Sequence, residues 1–103
     1  IQHEGKLARK ASASKIEHME NKEEKARKRK LEKQLNETEH EIEEIENRLE
    51  TIKNEMEKED IRSDHIKLLD FHNEYNNLNK RLEELYIIWE SLAEEKEKNN
   101  ERP

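Results

Sequence analysis

The chain has no cysteine, so disulfides and thiolate metal sites are excluded and nothing points to an oxidising compartment. It has one glycine and one proline, the proline at the last position. A lone glycine rules out the GxxxxGK[ST] and GxGxxG phosphate-binding loops, so no nucleotide hydrolysis is expected of these residues themselves. Phe71, Tyr75, Tyr86 and Trp89 are the only aromatics, too few and too far from any basic stretch to make a base-stacking surface for single strands. No apolar run approaches the roughly 18 residues that a membrane span needs, and the first residues lack the hydrophobic core of a secretory signal. The expectation is a soluble, cytoplasmic protein with no membrane partner. Beginning at Ile1 rather than at methionine, the chain reads as a piece of something longer.

What is present is charge. Of 103 residues, 47% are charged and 29% hydrophobic, which is too little apolar material to fill a globular interior. The apolar residues must be spent along a line, and the abundance of Glu, Lys, Arg, Leu and Asn fits long helices or a coiled coil. The net charge of −6 conceals an asymmetry. Residues 1–33 hold 11 basic and 6 acidic side chains, a balance of +5; residues 34–103 hold 10 and 21, a balance of −11. A basic arm thus adjoins an acidic body.

Residues 1–13, of mixed charge with small residues and no sustained period, read as a flexible linker. Ser14, with Glu17 three positions on, has the capping-box spacing of a helix start. From Leu31 the series Leu31, Leu35, Thr38, Ile42, Ile45, Leu49, Ile52, Met56 alternates steps of four and three, a heptad seam with Thr38 as its polar member. A second seam of equal length runs Leu68, Phe71, Tyr75, Leu78, Leu82, Leu85, Trp89, Leu92. Between them KEDIRSDH breaks the pattern, and Ser63 or Asp64 can cap the second helix.

Two matched seams joined by a short connection predict an all-α fold, an antiparallel intramolecular two-helix coiled coil. The expected division is a linker over 1–13, a basic helical overhang over 14–30 and a coiled-coil hairpin over 31–98, followed by a disordered tail over 99–103. Within the hairpin, helix 1 runs to about 58, the tip is 59–63, and helix 2 begins at about 64. Two registers compete. One sets Ile52 against Leu68, Leu49 against Phe71, Ile45 against Tyr75 and Leu31 against Trp89, with flanking pairs Glu55–Lys67, Arg48–Glu74 and Glu41–Arg81. A one-heptad shift sets small Thr38 against large Trp89 but brings Arg48 toward Arg81. Each charge pair contributes only about 0.2–0.5 kcal/mol, and the first register is favoured by that margin.

The run EEKARKRKLEK, residues 23–33, is the candidate binding surface. Lys25, Arg27, Lys28, Arg29, Lys30 and Lys33 can neutralise phosphates without reading bases, and Lys80 and Arg81 form a weaker second patch. The same run has the composition of a solvated helical face, with Glu23, Glu24 and Glu32 interspersed. Of the aromatics, Phe71, Tyr75 and Trp89 are expected to be core; Tyr86, Ile87 and Ile88 widen the apolar face beyond a two-helix seam. The histidines, at 3, 18, 40, 65 and 72, lack ligand spacing, so no metal is expected. No catalytic residues are expected, because a coiled-coil surface offers no enclosed pocket to shift the pKa values of its carboxylates.

At LEELYIIWESL, together with RKLEK at Arg29–Lys33 and SDHIKLLD at Ser63–Asp70, the chain resembles the C-terminal domain of ABC-F ATPases, including the Uup type. The likeness covers about residues 25–95; the family often carries Asp-Pro at the tip, and this chain does not. The resemblance implies a non-catalytic accessory coiled coil of a cytoplasmic ATPase whose cassettes, not this stretch, bind ATP. It also implies DNA or ribosomal RNA as partner, with the parent's own cassettes a further one. The alternative is a structural or protein-interaction coiled coil that docks through Tyr86, Ile87 and Ile88 or associates with another copy. A monomer is expected.

Overall fold

The computed structural model describes the backbone of residues 2–101 and the side chains of residues 15–100. Three helices are present in chain order: α1 (Gln2–Glu57), α2 (Glu59–Arg62) and α3 (His65–Glu101). No strand occurs among the described residues. α1 and α3 pack antiparallel as a helical hairpin, and α2 is a single turn at its tip.

The helix boundaries differ from expectation at both ends. α1 begins at Gln2, not at Ser14, so the residues read as a linker carry helical backbone from Gln2 onward. Ala, Leu, Lys and Arg dominate that stretch, and their helix propensity is high enough for the helix to continue through it. α3 runs to Glu101, three residues into the expected tail, on a sequence of Glu, Lys and Asn with no breaker before Pro103.

At the tip, α1 stops because Lys58 turns to an extended backbone (φ −68°, ψ 138°). α2 then folds Ile61 inward, where it is buried and closes the end of the hairpin. Asp64 starts α3: its Oδ1 accepts from the backbone N–H groups of Ile66 at 3.1 Å and Lys67 at 3.2 Å. These are two of the donors that a helix start leaves without partners. Ser63, the other candidate cap, instead donates its hydroxyl to the Asp60 carbonyl at 3.3 Å.

The core is a single line of side chains. On α1, Leu31, Leu35, Ile42, Ile45 and Ile52 are buried; on α3, Leu85 is buried, with Leu78, Leu82 and Trp89 half-buried. Thr38 is buried in the same line, and its hydroxyl donates to the Gln34 carbonyl one turn earlier at 2.7 Å. A threonine can therefore occupy a core position, because its one polar group is satisfied within its own helix.

The register is the shifted one, not the one favoured from charge. Leu85 packs with Ile42 and Ile45, and Leu49, Leu78, Leu82 and Trp89 close around them. In the favoured register Leu85 would lie about 10 Å along the axis from Ile42, out of contact. Trp89 packs on that cluster and donates its Nε1–H to Glu39, the residue after Thr38, at 3.0 Å. Packing of the buried line, rather than weak flanking charges, is what distinguishes the two registers. Arg48–Glu74 and Glu41–Arg81 form nevertheless, since long Arg and Glu side chains reach along the axis as well as across it. The third expected pair does not form: Glu55 meets Lys58 at 2.6 Å rather than Lys67.

Candidate nucleic-acid interface

Lys25, Arg27, Lys28, Arg29, Lys30 and Lys33 lie on consecutive turns of α1, and all six are exposed. Two of them have acidic neighbours one turn away: Arg27 approaches Glu23 at 4.0 Å and Lys33 approaches Glu37 at 3.9 Å. Both contacts are long and solvated, the kind of pair that constrains a side chain little. Lys25, Lys28, Arg29 and Lys30 form no ion pair among the described residues. Their charges are available to an incoming anion.

The shifted register changes what lies next to this run. Arg27, Lys30 and Leu31 share a groove with Glu95, Lys98 and Asn99, and Lys28 and Glu32 share another with Lys96, Asn99 and Asn100. The end of α3 therefore runs beside residues 27–32 of α1, and Leu31 is buried beneath it. An antiparallel hairpin is expected to bring the acidic segment Glu94–Glu101 close to the basic run, and Glu95 lies there, accompanied by Lys96 and Lys98.

The second patch is divided. Lys80 is exposed and forms no ion pair among the described residues. Arg81 is committed to the hairpin: its Nε and Nη2 donate to Glu41 at 3.0 and 3.3 Å, and its Nη1 to Glu84 at 3.2 Å. These hydrogen bonds, Glu41 first, hold the Arg81 guanidinium above its ordinary pKa. It joins the helices rather than facing a partner.

Tyr86, Ile87 and Ile88 are exposed, as expected from their place outside the seam. The Tyr86 hydroxyl donates to Glu46 at 2.5 Å, and this hydrogen bond raises the pKa of the phenol. His40 lies 3.0 Å from Glu44, an intrahelical contact on an exposed face. No three His, Asp or Glu side chains among the described residues are grouped as metal ligands. None of the described helices is long and apolar enough to cross a membrane.

Comparison with known proteins found no match among curated proteins or solved structures. A family model described as the ABC transporter C-terminal domain matches residues 25–94. That stretch opens on the basic run, contains both seams and the capped tip, and ends just after Leu92. With more than half of its length matched, the chain belongs to the ABC transporter C-terminal domain family.

Proposed function

We propose that this hairpin is a non-catalytic nucleic-acid-binding accessory domain of a cytoplasmic ABC-F ATPase of the Uup type, in which separate cassettes bind ATP. It holds the parent enzyme on DNA, or on ribosomal RNA, by sequence-independent phosphate contacts from Lys25, Arg27, Lys28, Arg29, Lys30 and Lys33. Lys80 supplies a weaker contact on α3, whereas Arg81, tied to Glu41, contributes less than its position suggests. The observation that carries this reading is the exposed cluster of Lys25, Lys28, Arg29 and Lys30, which form no ion pair among the described residues. Cations presented on a helix displace condensed counterions from a phosphate backbone, so the affinity depends steeply on salt.

The test is duplex binding across a salt series. Changing Arg27, Lys28, Arg29 and Lys30 together to Ala should weaken binding to duplex DNA or RNA and flatten its salt dependence. Unchanged affinity would sink the assignment.

A second reading rests on the exposed apolar side chains of α3. Ile87 is 69% exposed and stands beside exposed Tyr86 and Ile88, a surface that can dock on the parent's cassettes or on another copy. Sedimentation across a concentration range separates the two forms of this reading: a monomer at high concentration excludes self-pairing.

A further inference from the structure

The part of α1 that precedes the end of α3 has two faces of opposite charge. At 3.6 residues per turn, Lys15, His18, Lys22, Lys25, Arg29 and Lys33 fall within a sector of about 80°. All six are exposed. They succeed one another by steps of three and four, over an axial length of about 27 Å at 1.5 Å per residue. No acidic residue of this stretch lies inside the sector. Glu17, Glu20 and Glu24 lie on the opposite side of the helix, in line with Leu31 and Leu35, which face α3.

Arg27 and Lys28 belong to the other face. Arg27 approaches Glu23 and shares a groove with Glu95, and Lys28 shares one with Glu32 on the α3 side. The most basic stretch of the sequence is therefore split by the helix: part of it joins the stripe, and part lies off it, toward α3.

We propose that the stripe from Lys15 to Lys33 is the surface that meets the phosphate backbone of duplex DNA, and that Arg27 and Lys28 are not part of it. This rests on the nucleic-acid reading and narrows it, moving Arg27 and Lys28 out of the set of phosphate contacts assigned above. Lys22, Lys25, Arg29 and Lys33 set cations about 5 Å apart along the axis, with Lys15 about 10 Å further on, and such a file suits a partner whose charge is itself linear; duplex DNA carries one charge per about 1.7 Å of axis. An anionic membrane suits the stripe less well. Surface-lying helices insert an apolar face, and this sector holds no apolar side chain. Ile16 and Met19, though exposed, lie outside it.

The test is anisotropy of a labelled 20-base-pair duplex titrated with the chain between 50 and 200 mM salt. A stripe variant carries Lys15→Ala, Lys22→Ala, Lys25→Ala and Lys33→Ala; an edge variant carries Arg27→Ala and Lys28→Ala. Alanine favours helix at every one of these exposed positions, so unchanged circular dichroism is expected of both. The stripe variant should lose at least about tenfold in affinity at 100 mM salt, and the slope of log K against log salt should fall by about 0.9 per cation removed. The edge variant should stay within about threefold of the parent chain, with its slope changed by less than about one. An edge variant as weak as the stripe variant, or a stripe variant that binds normally, overturns the stripe and leaves nucleic-acid binding standing. If the parent chain fails to bind duplex even at 50 mM salt, both readings fall. Stripe-dependent binding to vesicles containing phosphatidylserine, or to a second copy of the chain, would then identify the surface's true partner.

Discussion

Arg48 of α1 and Glu74 of α3 are joined at two points: Nε donates to Oε1 at 2.8 Å and Nη2 to Oε2 at 3.0 Å. Further along, Glu41 and Arg81 make the same two-point contact with the arginine on the opposite helix. Paired donors facing paired acceptors resist twisting about the contact, so each pair orients one helix against the other.

The first pair links stability to acid. The hydrogen bonds from Arg48 hold the Glu74 carboxyl below its ordinary pKa. A depressed carboxylate stabilises the fold above its unfolded value of about 4.3, and that contribution is lost as pH falls through the folded value. Glu74→Gln should therefore melt below the parent chain at pH 7, and the two melting curves should converge by about pH 2–3. A melting difference that persists at the acid end would mean that the ion pair is not its cause.

At the alkaline end the sign reverses. Tyr86 donates to Glu46, which raises the phenol's pKa, so the stabilisation is present below the unfolded value of about 10 and lost as pH rises through the folded one. Ultraviolet titration should show one of the two tyrosines ionising late. Glu46→Gln should bring it back toward the ordinary range of a phenol, and Tyr86→Phe should remove the late component altogether.

The absence of cysteine permits a direct test of register. A chain with Ile42→Cys and Leu85→Cys should close a disulfide on mild oxidation, because these side chains share a core layer. Ile42→Cys with Leu78→Cys, the pair that the unshifted register would align, should remain reduced under the same conditions. Efficient closure of the second pair and not the first would reverse the assignment.

The tip can be tested through its cap. Asp64 accepts from two backbone donors of α3, so Asp64→Ala should cost about 0.5–2 kcal/mol in urea denaturation. Ser63→Ala, which removes only an exposed bond to a carbonyl, should cost a small fraction of that. Equal effects would mean that the cap is not what starts the helix.

Much of this architecture was legible along the chain. Steps of three and four are the spacing of one face of an α-helix, so the series from Leu31 and from Leu68 could only be two apolar lines. The short connection between them left antiparallel packing as the way to cover both. The burial of Ile61 was not legible, since it lies outside both seams and only the turn of α2 brings it under the helix ends.

The sequence by itself determined two helices, their facing stripes and their antiparallel pairing, because periodicity is a local property that each helix carries alone. It did not determine their register. A heptad seam slid by seven residues meets another heptad seam just as before, and Arg48–Glu74 and Glu41–Arg81 are long enough to form after the slide. Only tertiary packing broke that near-symmetry, by seating Leu85 with Ile42 and Ile45 and bringing Trp89 onto that cluster, within hydrogen-bond reach of Glu39. The same slide carried the end of α3 alongside the basic run of α1. Helix periodicity decides which face each cation occupies, and the slide decides which of them have α3 for a neighbour.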